Sequence, residues 1–467
     1  MPQNVDRVLV IGLDCATPQF VFGPDAFDLP NIRALMSRGC WGPLRSCDPP
    51  ITVPAWTCMT SGVDPGALGI YGFHNRVDYS YQPMRITDAT AVKVPRVWDI
   101  LSQHGKRVIV LGVPQTYPVT PVNGCLVADF LAPDTSVDYT YPTSLKGEIE
   151  ARFGEYILDV PAFRTDDKES LLKNIYKMMH NRFDVAHYLM ASKPWDFFMM
   201  VEMGIDRIHH AFWGFCDPEH PSFDPAGPYR HAIRDYYQAV DTRVGALIEQ
   251  AAPNTAILVV SDHGARRMEG GFRINQWLIN EGYLTLRNPA LYERSETSRR
   301  IEQSDIDWSK TQAWAAGGYH GRVFLNVAGR EPHGTVAPAC YQSTLCALIQ
   351  KLEAVPIPGN RTLHNKVFAP NDLYALSNGH PPDLLIYFGD LSWRAIGTVA
   401  GNSIYISCND LGPDDANHAQ HGIFIMHSGP EQTMEQRAGL TLLDVAPTLL
   451  DLLGIQPPRQ MQGRSIR

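Results

Sequence analysis

The segment 256-AILVVSDHG-264 is an apolar run that ends in an aspartate, a histidine and a glycine. Such a run is too short for a helix of ordinary length and indicates a strand buried on both faces. A second stretch, 8-VLVIGLD-14, has the same form. In an open parallel sheet, functional groups lie beyond the carboxyl ends of the strands. We therefore predict that Asp14, Asp262 and His263 meet at one edge of a sheet.

Short apolar runs and helical patterns alternate along the rest of the chain. The expected strands, all interpreted as parallel, are Val8–Leu13, Val108–Val113, Phe197–Val201, Ala256–Val260 and Ile423–Met426. Apolar residues at helical spacing predict helices at Pro30–Arg38, Val97–His104, Leu145–Phe153, Leu171–Met190, His231–Ala251 and Thr441–Leu453. This alternation predicts an α/β fold with a doubly wound, mostly parallel sheet flanked by helices.

Two stretches fit the alternation poorly. Residues 116–164 are rich in Pro, Asp and Thr, and residues 267–415 contain loops such as HNKVFAPND and SNGHPPD. We predict an α/β core made of residues 1–115, 165–266 and 416–467. Residues 116–164 are expected to form an insertion near the site. Residues 267–415 are expected to form an inserted cap that partly continues the core.

Composition limits the class of protein. The 467 residues are 44% hydrophobic and 19% charged, which predicts a folded chain with a large core. The net charge of −9 disfavours a nucleic-acid polymer as partner. A small phosphorylated substrate is compatible with that charge, because bound metal ions can invert the local field. The sequence has neither an apolar run of about 18 residues nor a signal peptide, so no membrane attachment is expected.

The nine cysteines are scattered and include no CxxC pair. This spacing supports neither a zinc ribbon nor a complete disulfide framework. We therefore expect free thiols and a cytoplasmic location.

A second polar group follows the expected strand Phe197–Val201. In 206-DRIHH-210, Asp206 and His210 are four residues apart, so on a helix they share one face and can bind one metal ion. An ordinary Asp–His pair at a helix start is the alternative interpretation, and His209 is expected to point elsewhere. Near the C-terminus, 417-NHAQHGIFI-425 places His418 and His421 before a strand. One of these two is expected to be a ligand and the other a support or a substrate contact.

The segment 52-TVPAWTCMTSGVDPGALGIYGF-73 holds the candidate nucleophile. Thr52 lies just before a helix expected to start at Pro54, and free N–H groups and the helix dipole favour an anion there. A simple capping role for Thr52 is the alternative. An alcohol bound to a divalent metal loses its proton more readily and becomes a nucleophile near neutral pH. Thr57 and Thr60 are the next candidates.

These motifs, in this order, resemble the alkaline phosphatase superfamily. The branch they resemble most is the type I phosphodiesterase/nucleotide pyrophosphatase group, with its bacterial and archaeal phosphohydrolase or phosphomutase members. The resemblance is carried by the threonine segment, by SDHG with 272-FRINQWLINEGYL-284, by 418-HAQHGIFIMHSGP-430 and by 442-LLDVAPTLLDLLGI-455. It spans nearly the whole chain, from Asp14 to Ile455.

The resemblance implies a role for each matching residue. Thr52 matches the metal-bound nucleophile, and its oxygen completes a metal site formed by Asp14, Asp262 and His263. Asp206, His210 and His418 match the ligands of a second metal, and the family spacing favours His418 over His421. The implied cofactors are two divalent ions, with zinc preferred and manganese as the alternative.

The implied function is a two-metal-dependent hydrolase of phosphate esters that acts through a phosphothreonine intermediate. A phosphodiesterase or nucleotide pyrophosphatase is favoured over a phosphomonoesterase. The open alternatives are a monoesterase, a phosphomutase or phosphotransferase on the same site, and a non-catalytic metal-binding regulatory protein. Ala55 departs from the nucleotide pyrophosphatases, which carry a phosphoryl-binding asparagine there, and Cys15 stands where a glycine often follows the first aspartate. Arg76 is left open between a substrate contact and a surface charge.

Overall fold

The computed structural model describes residues 5–293, 298–359, 364–401, 403–407, 409–429 and 434–466. Its strands are β1 (Arg7–Leu13), β2 (Cys40–Arg45), β3 (His74–Asn75), β4 (Arg85–Ile86), β5 (Val108–Leu111), β6 (Gly124–Val127), β7 (Thr140–Tyr141), β8 (Phe197–Glu202), β9 (Thr255–Val260), β10 (Gly264–Arg267), β11 (Gly270–Arg273), β12 (Ala313–Ala316), β13 (Gly321–Leu325), β14 (Lys366–Phe368), β15 (Leu384–Tyr387), β16 (Trp393–Ile396), β17 (Tyr405–Ile406), β18 (Ala416–Ala419), β19 (His421–His427), β20 (Glu435–Gln436) and β21 (Leu440–Thr441).

The helices connect and cover these strands. They are α1 (Pro18–Val21), α2 (Pro30–Met36), α3 (Thr52–Ser61), α4 (Pro65–Leu68), α5 (Val97–Gln103), α6 (Ser144–Phe153), α7 (Lys168–Ser192), α8 (Gly204–Cys216), α9 (Ala232–Gln250), α10 (Ile274–Asn280), α11 (Ala290–Glu293), α12 (Tyr341–Glu353), α13 (Pro370–Leu373) and α14 (Val445–Leu452). Within the described residues, no helix has the length and apolar character needed to cross a membrane.

Ten strands form the central sheet, in the order β20-β2-β19-β9-β1-β8-β5-β6-β7, with β21 also paired to β2. Strand β1 lies between β8 and β9 and runs parallel to both. Its residues alternate between the faces: Leu9 and Ile11 pack toward α7, α8 and α9, whereas Val8 and Val10 pack toward α3, α5 and α14. Both faces are therefore covered, which confirms the predicted doubly wound α/β fold.

The direction of one strand was predicted wrongly. The run Ile423–Met426 lies in β19, which is antiparallel to both of its neighbours, β2 and β9. The reason is its connection. Strand β18 pairs antiparallel with β10 and ends opposite Gly264, close to where β9 finishes. The chain then turns at Gln420. Strand β19 therefore enters the sheet at the edge formed by the carboxyl ends of the parallel strands, and it runs antiparallel to β9.

The two stretches that interrupt the alternation behave differently. Residues 116–164 supply β6 and β7 to one edge of the central sheet. Residues 267–415 build two smaller sheets, β12-β13-β15-β14 and β16-β11-β17, around a separate apolar cluster that includes Phe272, Trp277 and Leu348. We propose that this second cluster marks the cap. Buried free thiols include Cys15 and Cys58, and Cys408 lies outside the described residues.

Candidate metal centre

The first group of candidate ligands lies at the carboxyl edge of β1 and β9. Asp14 follows β1 directly, and Asp262 and His263 follow β9. All three side chains are buried, and their ligand atoms lie within 4.8 Å of one another. His263 Nε2 is 3.2 Å from Asp262 Oδ2 and 3.9 Å from Asp14 Oδ1. Thr52 Oγ1 is 3.3 Å from the same His263 nitrogen, so the candidate nucleophile borders this group.

The second group combines α8 with β18. Asp206 lies in the first turn of α8, His210 lies one turn later, and His418 lies on β18. His210 Nε2 is 3.2 Å from Asp206 Oδ1 and 3.2 Å from His418 Nε2. His421 begins β19 and its side chain is exposed. The structure thus brings His418, and not His421, into a buried cluster of three potential ligands.

Each of the three carboxylates keeps one buried oxygen that accepts no hydrogen bond, although two of these oxygens lie 3.2 Å from an imidazole nitrogen of the same group. These oxygens are Asp14 Oδ1, Asp206 Oδ1 and Asp262 Oδ2. Burying a charged oxygen without a partner is costly, and proteins usually pair such groups or use them to coordinate metals. Carboxylate and imidazole ligands in sets of three suit zinc and related divalent ions. The donor set therefore fits one cation in each group.

The second oxygen of two of these carboxylates is held by the backbone or by a neighbouring ring. Trp56 Nε1 donates a hydrogen bond of 2.6 Å to Asp14 Oδ2. The backbone N–H of Cys15 donates to Asp262 Oδ1 at 3.2 Å. Cys15 adopts a φ of 65°, in the left-handed region that favours glycine. Glycine adopts this conformation without strain, which explains why it is common at this position in the family that the sequence resembles.

Titration of the site reflects its burial. Burial raises the pKa of Asp14 and Asp262 well above 3.8, and repulsion from neighbouring carboxylates adds to the effect. Burial lowers the pKa of His263 to about 4, and it also lowers the pKa of His418 well below its usual value. Asp206 and His210 differ: burial opposes both charges, but His210 holds the pKa of Asp206 well below 3.8, and Tyr319, Asp414 and Asp206 hold the pKa of His210 well above 6.5. Without added positive charge, the other four groups thus favour their neutral forms. Divalent ions would supply that charge and favour the ionised carboxylates.

A buried carboxylate orients His210. Asp414 Oδ1 lies 2.7 Å from His210 Nδ1, so this nitrogen donates and Nε2 is left to face the cluster. Asp414 Oδ2 accepts from Arg394 Nη1 at 2.9 Å and from Arg164 Nε at 3.0 Å. The sequence patterns do not point to Asp414. Its only signal is an acidic pair placed shortly before His418.

Both interrupting stretches send side chains to the second group. Arg207 Nη1 donates to Asp206 Oδ2 at 2.5 Å, and its other nitrogens bind Asp159 at 2.9 and 2.6 Å. The Tyr319 ring stacks on His418, with centroids 4.1 Å apart and planes at 25°. Asp159 belongs to residues 116–164 and Tyr319 to residues 267–415, so ligand positions depend on contacts distant in sequence.

Two other residues noted in the sequence have packing roles. His209 is buried and its Nε2 lies 3.2 Å from the Tyr237 hydroxyl, as expected for a residue outside the metal groups. The surface-charge interpretation of Arg76 is wrong, because its side chain is only 4% exposed. Arg76 Nη1 lies 3.0 Å from Glu331 Oε1.

Comparisons with known proteins relate this geometry to a family. Residues 8–423 match the family model of type I phosphodiesterase / nucleotide pyrophosphatase. A comparison with the curated proteins gives no match.

Solved structures share the architecture. Murine ectonucleotide pyrophosphatase/phosphodiesterase 5, solved as an inactive variant with AMP, is 13% identical with a TM-score of 0.57, and the alignment covers 97% of this chain and 96% of that one. Phosphonoacetate hydrolase from Sinorhizobium meliloti 1021, solved with phosphonoacetate, is 14% identical with a TM-score of 0.59, and 97% of each chain is covered. At these identities the likeness shows the fold alone. By the family match, together with this fold, the chain belongs to the type I phosphodiesterase/nucleotide pyrophosphatase family of the alkaline phosphatase superfamily, a class of phosphoester hydrolases.

Proposed function

We propose that this chain is a two-metal hydrolase of phosphate esters that uses Thr52 as nucleophile and prefers diesters to monoesters. The observation that supports this most is the position of the Thr52 hydroxyl, whose Oγ1 is 3.3 Å from Nε2 of His263 in the buried group with Asp14 and Asp262. A non-catalytic regulatory protein would have no need of a hydroxyl at this position.

The position of Thr52 suits attack on a phosphate group. Helix α3 begins at Thr52, two residues earlier than the sequence predicts, and its N-cap is Ile51, which makes no side-chain cap bond. The amide of Ala55 donates to Ile51 O, and Pro54 has no N–H. Within the described chain, the amides of Thr52 and Val53 make no hydrogen bond. They can donate to phosphoryl oxygens, which compensates for the missing asparagine at Ala55.

We assign the ligands as the two groups described above. Asp14, Asp262, His263 and the Thr52 oxygen would hold one ion, and Asp206, His210 and His418 would hold the other. Zinc is the proposed ion, with manganese as the alternative. When bound, the ions would make the Thr52 hydroxyl more acidic and would stabilise charge on the phosphoryl oxygens.

The proposed reaction has two displacements at phosphorus. In the first, Thr52 Oγ1 bonds to phosphorus in line with the ester bond, which breaks and releases the leaving alcohol. The Thr52 proton leaves with the released alcohol, and the product of this step is a phosphothreonine ester, which keeps the second alcohol group when the substrate is a diester. In the second, water bonds to phosphorus, the bond to Thr52 Oγ1 breaks, and that oxygen regains a proton. A competing alcohol acceptor distinguishes hydrolysis from phosphoryl transfer, because a transferase would form a new ester with it.

The test compares two threonines on one helix. Thr52→Ala should reduce turnover by several orders of magnitude, because no other group replaces a covalent nucleophile. Thr60→Ala is the matched control: its hydroxyl donates at 2.8 Å to the Trp56 carbonyl of the same helix. It should stay within a few-fold of wild type. Similar activity in wild type and Thr52→Ala would remove Thr52 from the mechanism.

The substrate class needs a separate measurement. We expect kcat/KM to be higher for aryl phosphodiesters than for aryl monoesters on the same preparation. A clear preference for monoesters would contradict the diesterase assignment and leave the proposed metal chemistry intact.

Elemental analysis of that preparation should give close to two divalent ions per chain. The cytoplasmic location stays a prediction from the sequence.

A further inference from the structure

A cavity of about 660 Å³ lies where β10 and β18 meet β14 and β15. This volume is in the range of small-molecule sites. Its polar wall consists of Arg45, Asp48, Arg266, Lys366, Asp390 and His421. None of the seven proposed site residues lines it, although Ala265 and Ala419, which do, closely follow His263 and His418 in sequence. The cavity is therefore distinct from the metal centre.

The cavity carries more positive than negative charge. Lys366 Nζ is 2.5 Å from Asp390 Oδ1, and Arg266 Nη1 is 3.8 Å from Asp390 Oδ2. Two cations thus share one carboxylate on this wall. Elsewhere in the lining, Arg45 Nη2 is 2.5 Å from Asp48 Oδ2, so these two charges balance. The charges of the lining leave a net charge of about +1 with His421 neutral.

Hydrogen-bond donors also exceed acceptors. An arginine has five N–H donors and a lysine three. Arg266 donates to the Asp390 backbone carbonyl, and Lys366 contacts the Asp390 carboxylate. The Asp48 carboxylate already accepts hydrogen bonds from Arg45 and, at 2.9 Å, from the Tyr387 hydroxyl. A ligand must therefore bring acceptors, and compact oxyanions match charged N–H donors well.

The turn that carries Asp390 has a strained backbone. Asp390 and Leu391 have φ values of 53° and 72°, in the left-handed region where non-glycine residues are uncommon. Strain of this kind concentrates at functional sites. Here the conformation presents the Asp390 carbonyl to Arg266 and its carboxylate to Lys366. The turn thus holds both cations at the cavity wall.

We propose that this cavity binds a small molecule through a phosphate or carboxylate group held by Arg266 and Lys366. Arg45, His421 and the Phe368 and Tyr387 rings also line the cavity. This gives His421, which lies outside the metal groups, a ligand to contact. The site does not depend on the proposed function of Thr52.

The test uses the metal-loaded full chain and tungstate, a phosphate surrogate whose anomalous scattering locates it in crystals. Wild type should show a tungstate peak within hydrogen-bond distance of Arg266 and Lys366. The double variant Arg266→Gln, Lys366→Gln should lose this peak. Arg267→Gln is the matched control, because Arg267 is the next residue of β10 but pairs with Asp217 and Glu219, at 3.0 and 2.9 Å. It should keep the peak.

Calorimetric titration with orthophosphate tests binding in solution. Besides phosphate binding at the proposed metal centre, wild type should show a second binding event that the double variant weakens at least about tenfold, since two charged hydrogen-bonding groups are removed. A parallel titration with malonate shows whether a carboxylate serves as well as a phosphate. Either an absent peak in wild-type crystals or a phosphate titration unchanged in the double variant would overturn the proposal. So would a peak without binding in solution, which would indicate an adventitious ion only.

Discussion

Replacing Asp414 by asparagine should weaken ion binding at the group of Asp206, His210 and His418. Asp414 is fully buried and 2.7 Å from His210 Nδ1. Burial opposes its ionisation, but His210 and the nearby arginines hold the pKa of Asp414 at about 2, so it is charged at neutral pH. Asparagine has nearly the same size but carries no charge for the arginines or for His210. Loss of such a partner typically costs 10- to 100-fold in metal affinity, or about 1.4 to 2.7 kcal/mol.

The assay is zinc affinity, measured by competition with a chelator, on wild type, Asp414→Asn and the control Asp415→Asn. Asp415 is the adjacent acid, and it accepts from the Gly214 amide at 3.3 Å. It makes no hydrogen bond to a proposed ligand side chain. Only Asp414→Asn should lower the affinity for one of the two ions, and thermal unfolding should confirm that both variants fold. Equal affinities in all three proteins, or equal losses in the two variants, would show that Asp414 does not support His210 as a ligand.

Three further changes give separate tests of the site and the fold. His418→Ala should lose one of two ions by elemental analysis, whereas His421→Ala should keep both; the reverse pattern would exchange their roles. Trp56→Phe removes the 2.6 Å hydrogen bond to Asp14, so zinc affinity at the first group should fall about tenfold or more, and an unchanged affinity would show that this bond does not hold the ligand. Burial raises the pKa of Asp129 from 3.8 to about 6, so its ionisation should reduce wild-type stability by about 2 to 3 kcal/mol as pH rises from about 4 to about 6. In urea unfolding, the stability of Asp129→Asn relative to wild type should therefore rise over that interval, and a difference independent of pH would contradict this.

The sequence predicts those features whose cause is local. Asp14 and Asp262 each end an apolar strand, so the sheet alone brings them to one edge. Asp206 and His210 are one helical turn apart, as their spacing of four residues predicts. The choice of His418 over His421 needed the family spacing, since both precede the same strand.

The features that the sequence does not predict depend on tertiary contacts. Asp414 reaches His210 across 204 residues of sequence, and no local pattern marks that contact. The orientation of β19 follows from the β10–β18 pairing, which an apolar run cannot reveal. Arg76 lies in a polar loop sequence, 74-HNRVDYS-80, but its side chain is buried and pairs with Glu331, 255 residues away. In each case the contact involves a residue in, or a connection through, a stretch whose sequence has no clear helix or strand periodicity.

Locating the covalent intermediate tests directly whether Thr52 is the nucleophile. Wild-type enzyme turning over an aryl phosphodiester at saturation is quenched in acid, digested and mapped by tandem mass spectrometry. We expect a phosphoryl ester on Thr52 that keeps the second alcohol group of the substrate and disappears when the substrate is exhausted. The same ester on Thr57, Thr60 or any other residue, or none in enzyme quenched during steady turnover, would contradict the assignment of Thr52.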